Sequence, residues 1–379
     1  MRVGRRLRSG LPLAGLALVV LALAACASAH RAPAGPKLTA ANLWRVLATR
    51  CTALDARPDP YPWPLKPFNR QHPIRGYFGD PRTVIYGQKQ GIFSFHNGVD
   101  ILAWNGNEVY AVASGRVLAI KGDEVITSAS HGRKFQYIHL HPRVKVGDPV
   151  VVSQTLLGLT FEPWEHVHLS ELRGRCVVNP LAPGHLTPYA DPTHPRVLGI
   201  SFTTPAGGRL AAGDLYGEVR AVARAQAPPA DPAPGVWRRM PVSPALVTWQ
   251  LTAADGRRVG GGIAADFLVT EPPPAAFCDV YAPGTLQNFA AESGHYNWGR
   301  PGRYLYQLGP PLNTATLANG RYLYTVTAAN ARGGIGHRSV TIEIANHGQD
   351  KPASAAPPDW RCQRRARGGS SLLTRLLGG

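Results

Sequence analysis

The sequence predicts an all-β protein built in two β regions. Three observations lead there. Gly 41 and Pro 35 among 379 residues punctuate the chain with turns and disfavour long helices. From Ile74 to Leu172 the apolar residues fall in short runs bounded by Gly and polar turns, with no 3.6-residue period. From Val197 to Asn346 alternating runs recur with hairpin turns and no helical spacer, the pattern of a β-sandwich. A hydrophobic share of 44% is enough to bury real cores, which excludes global disorder. Two methionines exclude a Met-lined groove.

Residues 1–29 form a leader. Arg2, Arg5, Arg6 and Arg8 make a basic start, and Leu11 to Ala25 is apolar but too short to span a bilayer. Two cleavage readings compete. Ala27-Ser28-Ala29 fits the small-residue rule of signal peptides, and Leu23-Ala24-Ala25-Cys26 resembles the bacterial lipobox, whose Cys carries lipid. Without the leader's four Arg the formal charge falls from +18 to +14. A basic exported chain meets anionic cell-wall polymers or lipid headgroups, whereas export argues against nucleic acid. The expected location is the cell envelope or the extracellular space. No later stretch is long and apolar enough to span a membrane, so the one membrane contact expected is a lipid anchor at Cys26, if the lipobox reading holds. If Cys26 takes lipid, Cys51, Cys176, Cys278 and Cys362 remain, an even number in an oxidising compartment. Of the three pairings open to them, Cys51–Cys176 with Cys278–Cys362 would staple one β region each.

Residues 30–73 read as a linker, a helix-like stretch at Ala40 to Thr49 and a Pro-rich lead-in. Residues 74–196 form the first β region. Val109 to Ile120 reads as two strands about Gly115, Glu124 to Ala129 and Phe135 to Leu140 as one each, Val144 to Val150 as strand, turn and strand, and His166 to Leu172 as another. A Pro-rich segment closes it. In residues 197–346, Leu246 to Thr252, Tyr322 to Ala328 and Ser339 to Ala345 alternate, and a Pro-rich insertion occupies 226–244. Trp249, Tyr304, Tyr306, Tyr322 and Tyr324 read as core or cross-strand partners. Residues 347–379 are basic and low in apolar content, a largely disordered tail.

Six of the thirteen histidines fall between His96 and His168. His166 and His168 stand at i and i+2 in a strand-like run, which puts them on one face. His96 and Asp100 stand at i and i+4, also one face if the segment is extended. Two imidazoles and one carboxylate make a three-ligand set with an open fourth position, the catalytic zinc arrangement. The helical H-E-x-x-H signature is absent. His131 and His141 read as non-ligands, as do the isolated His72, His185, His194, His295, His337 and His347. Tyr137 reads as strand packing, with a substrate-facing role as the alternative.

These residues resemble the lysostaphin-type (LytM-like) zinc endopeptidases of bacterial cell walls. The resemblance runs over residues 74–182: Gly76-Tyr77-Phe78-Gly79-Asp80-Pro81-Arg82, the H-x-G-x-D of His96-Asn97-Gly98-Val99-Asp100, the strand Val109 to Val117, Tyr137-Ile138-His139-Leu140, Val146-Gly147-Asp148 and His166-Val167-His168. It implies a twisted antiparallel sheet with an open groove. It implies one Zn²⁺ held by His96, Asp100 and His168, with His139 and His166 as the catalytic pair beside the water. It also implies hydrolysis of peptide bonds in peptidoglycan, in stem peptide or cross-bridge. The Gly-rich stretch that precedes H-x-H in the family is replaced by Thr160-Phe161-Glu162-Pro163-Trp164-Glu165, and Leu169-Ser170-Glu171 stands where Phe-Glu is usual, so the groove wall departs from the pattern. The competing reading is a non-catalytic peptidoglycan-binding or amidase-regulating envelope protein, and a third is a surface protein in which the sandwich acts.

Overall fold

The computed structural model describes residues 58–83, 93–174, 176–290 and 299–346. The leader with Cys26, the helix-like stretch at 40–49, the tail at 347–379, His295 and His347 lie outside the described residues. Each expected disulfide also has one member outside them, Cys51 or Cys362. The members inside, Cys176 and Cys278, are not free thiols.

Among the described residues the first half holds thirteen strands: β1 (Ile74–Gly76), β2 (Pro81–Arg82), β3 (Ser94–Phe95), β4 (Val99–Leu102), β5 (Glu108–Tyr110), β6 (Gly115–Lys121), β7 (Glu124–Ser128), β8 (Arg133–Ile138), β9 (Leu140–Pro142), β10 (Pro149–Val150), β11 (Leu156–Thr160), β12 (His166–Arg173) and β13 (Cys176–Val178). Its main sheet runs β1-β4-β12-β8-β7-β6-β10, with β13 also on β12, and every pair is antiparallel. A small sheet, β5-β11-β9, packs beside it. β12 lies centrally and is buried on both faces, so its seven residues from His166 to Leu172 are all buried although the sequence alternates.

The second half holds β14 (Arg196–Thr203), β15 (Arg209–Leu210), β16 (Glu218–Gln226), β17 (Leu246–Ala253), β18 (Arg258–Asp266), β19 (Phe289–Ala290), β20 (Gly299–Arg300), β21 (Leu305–Gln307), β22 (Leu312–Asn313), β23 (Gly320–Ala329) and β24 (Ile335–Ile344). Two antiparallel sheets, β15-β14-β16-β21 and β18-β17-β23-β24, face one another across a shared core. On β16 the inward positions are Val219, Ala221, Ala223 and Ala225, with Glu218 and Arg224 exposed between and beside them. The all-β expectation and its antiparallel sheets are therefore observed. Tyr304, Tyr306, Tyr322 and Tyr324 are buried, and Trp249 stacks on Tyr324 at 5.4 Å, as cross-strand aromatics do.

Three local expectations change. Phe135 to Leu140 is not one strand: His139 takes φ +71 and breaks it into β8 and β9. Val144 to Val150 forms only β10; before it, Asp148 Oδ2 accepts from the Lys145 amide at 2.8 Å and Gly147 turns the chain at φ +93. His96 and Asp100 do not share an extended segment: His96 follows β3, and the chain bends at Asn97-Gly98 before Asp100 in β4.

The two cores interlock around this bend. The first contains Trp63, Ile101, Phe135 and Leu169, and it also takes Ala227 and Val242 from the second half. The second contains Val247, Phe267, Tyr281 and Val326, and it takes Phe78 and Phe95 from the first half. Phe95 lies 5.4 Å from both Phe267 and Phe277 and 5.9 Å from Tyr281, ring to ring. Burying a Phe of this kind stabilises by about 1.5–3 kcal/mol. Polar contacts follow the same seam: Tyr281 Oη donates to the Gly79 carbonyl at 2.7 Å, and the Ser243 amide donates to Asp80 Oδ1 at 2.7 Å. No helix among the described residues is long and apolar enough to cross a membrane.

Candidate metal centre

The register of the central sheet brings the expected ligands together. Asp100 on β4 is directly opposite His168 on β12, so the two side chains leave the sheet on the same face. Asp100 Oδ1 is 3.0 Å from His168 Nδ1 and 2.9 Å from His96 Nε2, and those two nitrogens are 2.9 Å apart. His96 reaches this point because its residue is tied down on both sides. Its amide donates to the Asp80 carbonyl at 2.8 Å, and its carbonyl accepts from Gly79 at 2.9 Å. All three residues are buried.

Each ligand's outer atom is engaged elsewhere. His96 Nδ1 donates to the Tyr77 carbonyl at 2.8 Å; a carbonyl only accepts, so the proton sits on Nδ1 and Nε2 presents a lone pair. His168 Nε2 meets Ser170 Oγ at 2.8 Å, which leaves Nδ1 facing the group. Arg82 Nη2 holds Asp100 Oδ2 at 2.8 Å and leaves Oδ1 to face inward. With both rings protonated on their outer nitrogens, three acceptors face one another within 3.0 Å, an arrangement that a cation stabilises. Donors around a four-coordinate zinc with bonds near 2.0–2.1 Å sit about 3.3 Å apart, so a slight spreading of this triangle admits one. The residues present fit zinc.

The electrostatics agree. Burial, reinforced by Arg82, pushes His96 down to about 4, so the ring is neutral and able to bind metal. Burial alone would raise Asp100, but His96, His166 and Arg82 outweigh it and hold the carboxyl well below the usual carboxylate range.

His139 and His166 stand beside the group, 4.5 Å apart between ring centroids. His139 follows Ile138, the residue opposite His168, and its positive φ turns the side chain out of the strand direction. A non-glycine residue held there costs about 1–3 kcal/mol, a cost found chiefly at functional sites. His139 Nδ1 is 3.1 Å from Asp123 Oδ2, and Trp164 stacks on the ring at 4.3 Å with 20° between planes. Burial lowers the affinity of His139 for a proton, and Asp123 partly offsets it. His166 is buried; its Nε2 lies 3.4 Å from Asp100 Oδ1 and its Nδ1 lies against Arg75 and the Trp164 carbonyl. Burial and then Arg75 push it down to about 3.

These groups open into a cleft of about 390 Å³, whose wall includes Trp164, Arg75 and, from the second half, Trp237, Gln287 and Asn288. Gln287 Oε1 accepts from the Thr83 amide at 2.7 Å, and Asn288 Nδ2 donates to the Pro241 carbonyl at 2.6 Å, so that wall is fixed.

No protein-family profile and no curated protein matches the chain. Solved structures do. A zinc-containing peptidase from Vibrio cholerae is 24% identical over 29% of this chain and 35% of its own, with a TM-score of 0.24. A mutant catalytic domain of the prophage-encoded M23 protein EnpA from Enterococcus faecalis is 24% identical over 28% of this chain and 85% of its own, with a TM-score of 0.23. A chain from the SpoIIIAH–SpoIIQ complex is 20% identical over 32% of this chain and 97% of its own, with a TM-score of 0.27. The chain thus spans about a third of the length of the first of these.

All five expected site residues meet at the cleft. His131 is exposed and turned toward Asp59, and His141 stacks on Phe161 at 4.4 Å. His185 is buried and paired with Glu171 at 2.8 Å. Tyr137 is fully buried and accepts from the Val112 amide at 2.9 Å, which makes it a packing residue. The sequence reading named Arg82 within a motif but gave it no role, and it missed Asp123, Arg75 and Trp237. Asp123 had one signal: Gly122-Asp123 between two strands marks a tight hairpin turn, and Gly122 takes φ +60. Which histidine that turn would meet depends on the register with β8.

Proposed function

We propose that this chain is an exported zinc metallopeptidase that hydrolyses peptide bonds in bacterial peptidoglycan, in the stem peptide or the cross-bridge. The observation that carries the reading is the meeting of His96 Nε2, Asp100 Oδ1 and His168 Nδ1 within 3.0 Å of one another, with two further imidazoles beside them in an open cleft. Bound there, zinc supplies Lewis-acid polarisation of the scissile carbonyl and lowers the pKa of water. The protein's own groups do the rest. His139 and His166 flank the position of the reacting carbon. One accepts a proton from the attacking water, and the other donates a hydrogen bond to the carbonyl oxygen as it gains charge. The proton then passes to the amide nitrogen as the C–N bond breaks, which releases a carboxylate and an amine. Trp164 covers one face of His139 and keeps water from it.

The leader and the formal +14 beyond it support export and attraction to peptidoglycan and anionic wall polymers, with a lipid anchor if Cys26 is the processed residue. Paired cysteines belong to the same compartment.

Purified peptidoglycan incubated with the zinc-loaded full chain tests the reading by muropeptide analysis. Release of new peptide termini, lost on chelation and restored by zinc, is the expected result. A chain that binds no zinc and releases nothing would leave the non-catalytic wall-binding reading in its place.

A further inference from the structure

The cleft wall holds two guanidinium groups, and they are engaged differently. Arg75 is taken up by the protein. It sits on β1, 6% exposed, with its guanidinium carbon 4.3 Å from the ring of Trp237 and Nη2 facing His166. Arg82 is not. Among the described residues its side chain makes one hydrogen bond, from Nη2 to Asp100 Oδ2 at 2.8 Å, and it is 27% exposed in the cleft wall. A guanidinium carries five N–H donors in a planar fork, so most of this fork is left to the cleft.

Two more polar side chains stand on the same side. Ser94 on β3 is directly opposite Arg82 on β2, and cross-strand partners leave a sheet on one face. Asn97 follows His96 in the bend. Both are half-buried in the cleft wall, and neither side chain meets a hydrogen-bond partner among the described residues. The second half of the chain fixes the backbone beside them. The Thr83 amide donates to Gln287 Oε1 at 2.7 Å, and the Gln287 amide donates to Thr83 Oγ1 at 3.1 Å, which pins the residue after Arg82. The other polar groups of this wall are occupied. Asn288 donates to the Pro241 carbonyl and accepts from the Gly302 amide at 2.7 Å. Asp80 accepts from the Tyr77 amide at 2.8 Å on one oxygen and from the Ser243 amide at 2.7 Å on the other. Asp100 turns Oδ1 to His96 and His168. An incoming molecule therefore meets a guanidinium fork flanked by a hydroxyl and a carboxamide.

We propose that Arg82, with Ser94 and Asn97 beside it, is a carboxylate subsite that makes the cleft select peptides carrying a free carboxylate next to the scissile bond. This deepens the peptidase reading above and rests on it for what is cut. A guanidinium takes a carboxylate through two parallel charge-assisted bonds, each roughly twice as strong as a neutral one. The position follows from Asp100. One of its oxygens faces the other two ligands and the second holds Arg82, so the fork stands about one or two extended residues from them, at ~3.3–3.6 Å per residue. Of the two substrates named above, a stem peptide with free carboxylates satisfies the site. A cross-bridge of uncharged residues leaves the fork without its partner, and a site built to bond a group rejects the analogue that lacks it. The carboxylate can belong to a chain end or to a residue inside the chain.

Cross-linked muropeptide dimers test this in three forms: all carboxylates free, only the chain-end carboxylates converted to amides, and all converted. The zinc-loaded full chain should cut the free form with kcat/KM roughly 10–100-fold above the fully amidated form, the range for a hydrogen bond to a charged group. A rate for the end-amidated form like that of the free form assigns the subsite to a carboxylate inside the chain; a rate like that of the fully amidated form assigns it to a chain end. Arg82→Gln should abolish the preference and Arg82→Lys should keep part of it. Because Arg82 also holds Asp100, zinc content is measured beside each rate, and the comparison is between substrates within one variant. Ser94→Ala and Asn97→Ala should each weaken the preference with one zinc per chain retained. Equal rates on the free and fully amidated forms in the wild type overturn the proposal. So does a preference that survives Arg82→Gln, which would put the carboxylate on the metal alone. Binding separates this failure from that of the peptidase reading. In ¹⁵N-labelled, zinc-loaded protein the Arg82 side-chain Nε–H signal should shift with the free dimers and stay in place with the fully amidated ones. If it does so and nothing is cut, the peptidase reading fails and the subsite stands. If the dimers are cut without preference and the signal does not move, the subsite fails alone.

Discussion

At the centre of the cleft, His96, Asp100 and His168 each turn one polar atom toward the other two and bind another to the surrounding chain, and this division makes the residues separable by experiment. Replacing His96, Asp100 or His168 with Ala should remove zinc and activity together, because three ligands leave no redundancy. Replacing His139 or His166 with Ala should keep one zinc per chain while turnover falls roughly 10²–10⁴-fold, the range for losing a general acid or base. Metal analysis beside turnover separates the groups; zinc lost from His166→Ala and kept by His168→Ala would reverse the roles within that pair. Asp123→Ala should lower turnover roughly 10–100-fold with zinc retained, and unchanged turnover would remove its orienting role. The shared strand of His166 and His168 was legible in the sequence because i, i+2 spacing on a strand is a statement about direction, whereas the i, i+4 argument for His96 and Asp100 gives way to the bend between them. Asp123 was not, since one acidic residue in a turn looks the same whether or not a histidine faces it.

Among the elements, the contact between the bend at Asn97-Gly98 and β12 sets how closely the ligand strands approach. A Cβ on Gly98 would lie 2.4 Å from the Leu169 carbonyl oxygen and 2.8 Å from both His168 Nε2 and Ser170 Oγ. Gly98→Ala should therefore destabilise the fold by about 1–3 kcal/mol, as overpacking does, and weaken zinc binding, because the displaced atoms orient a ligand. Urea unfolding and zinc titration of that variant give both effects; wild-type zinc affinity would show that the bend does not position the site. Strand existence was readable from Gly-bounded apolar runs. The break at His139 was not, because a left-handed backbone angle at a histidine is imposed by its surroundings and not by its own preference.

Across the whole molecule, two β regions were legible but their interlock was not. Nothing in the sequence of Phe78, Phe95 or Val242 tells which core each enters. A chain shortened to residues 1–196 should expose Phe78 and Phe95, lose the fixed cleft wall and bind zinc poorly, as metal titration would show; zinc binding at full-length affinity would mean the first half stands alone. A pH effect belongs to this scale too. Glu271, whose amide donates to the Val177 carbonyl, is pushed up to about 8 from the usual 4.5 by burial. Between those values the folded chain holds a proton that the unfolded chain releases, so stability should fall as pH rises through that window. Glu271→Gln should flatten the decline in urea midpoint from pH 5 to 8; a decline equal to wild type would place its origin elsewhere.

The seam through Phe95, Asp80 and Trp237 also bears on inheritance. A domain with a self-sufficient site can be moved by recombination from one carrier to another and keep its chemistry. Here the cut that would free residues 74–196 passes behind the cleft wall and through both cores. A hybrid joined at that point would carry the five motif residues intact and lack the indole behind Arg75. The two halves are therefore expected to travel as one gene segment, and drift in the 226–244 insertion should be constrained by Arg75, against whose guanidinium its Trp237 is stacked.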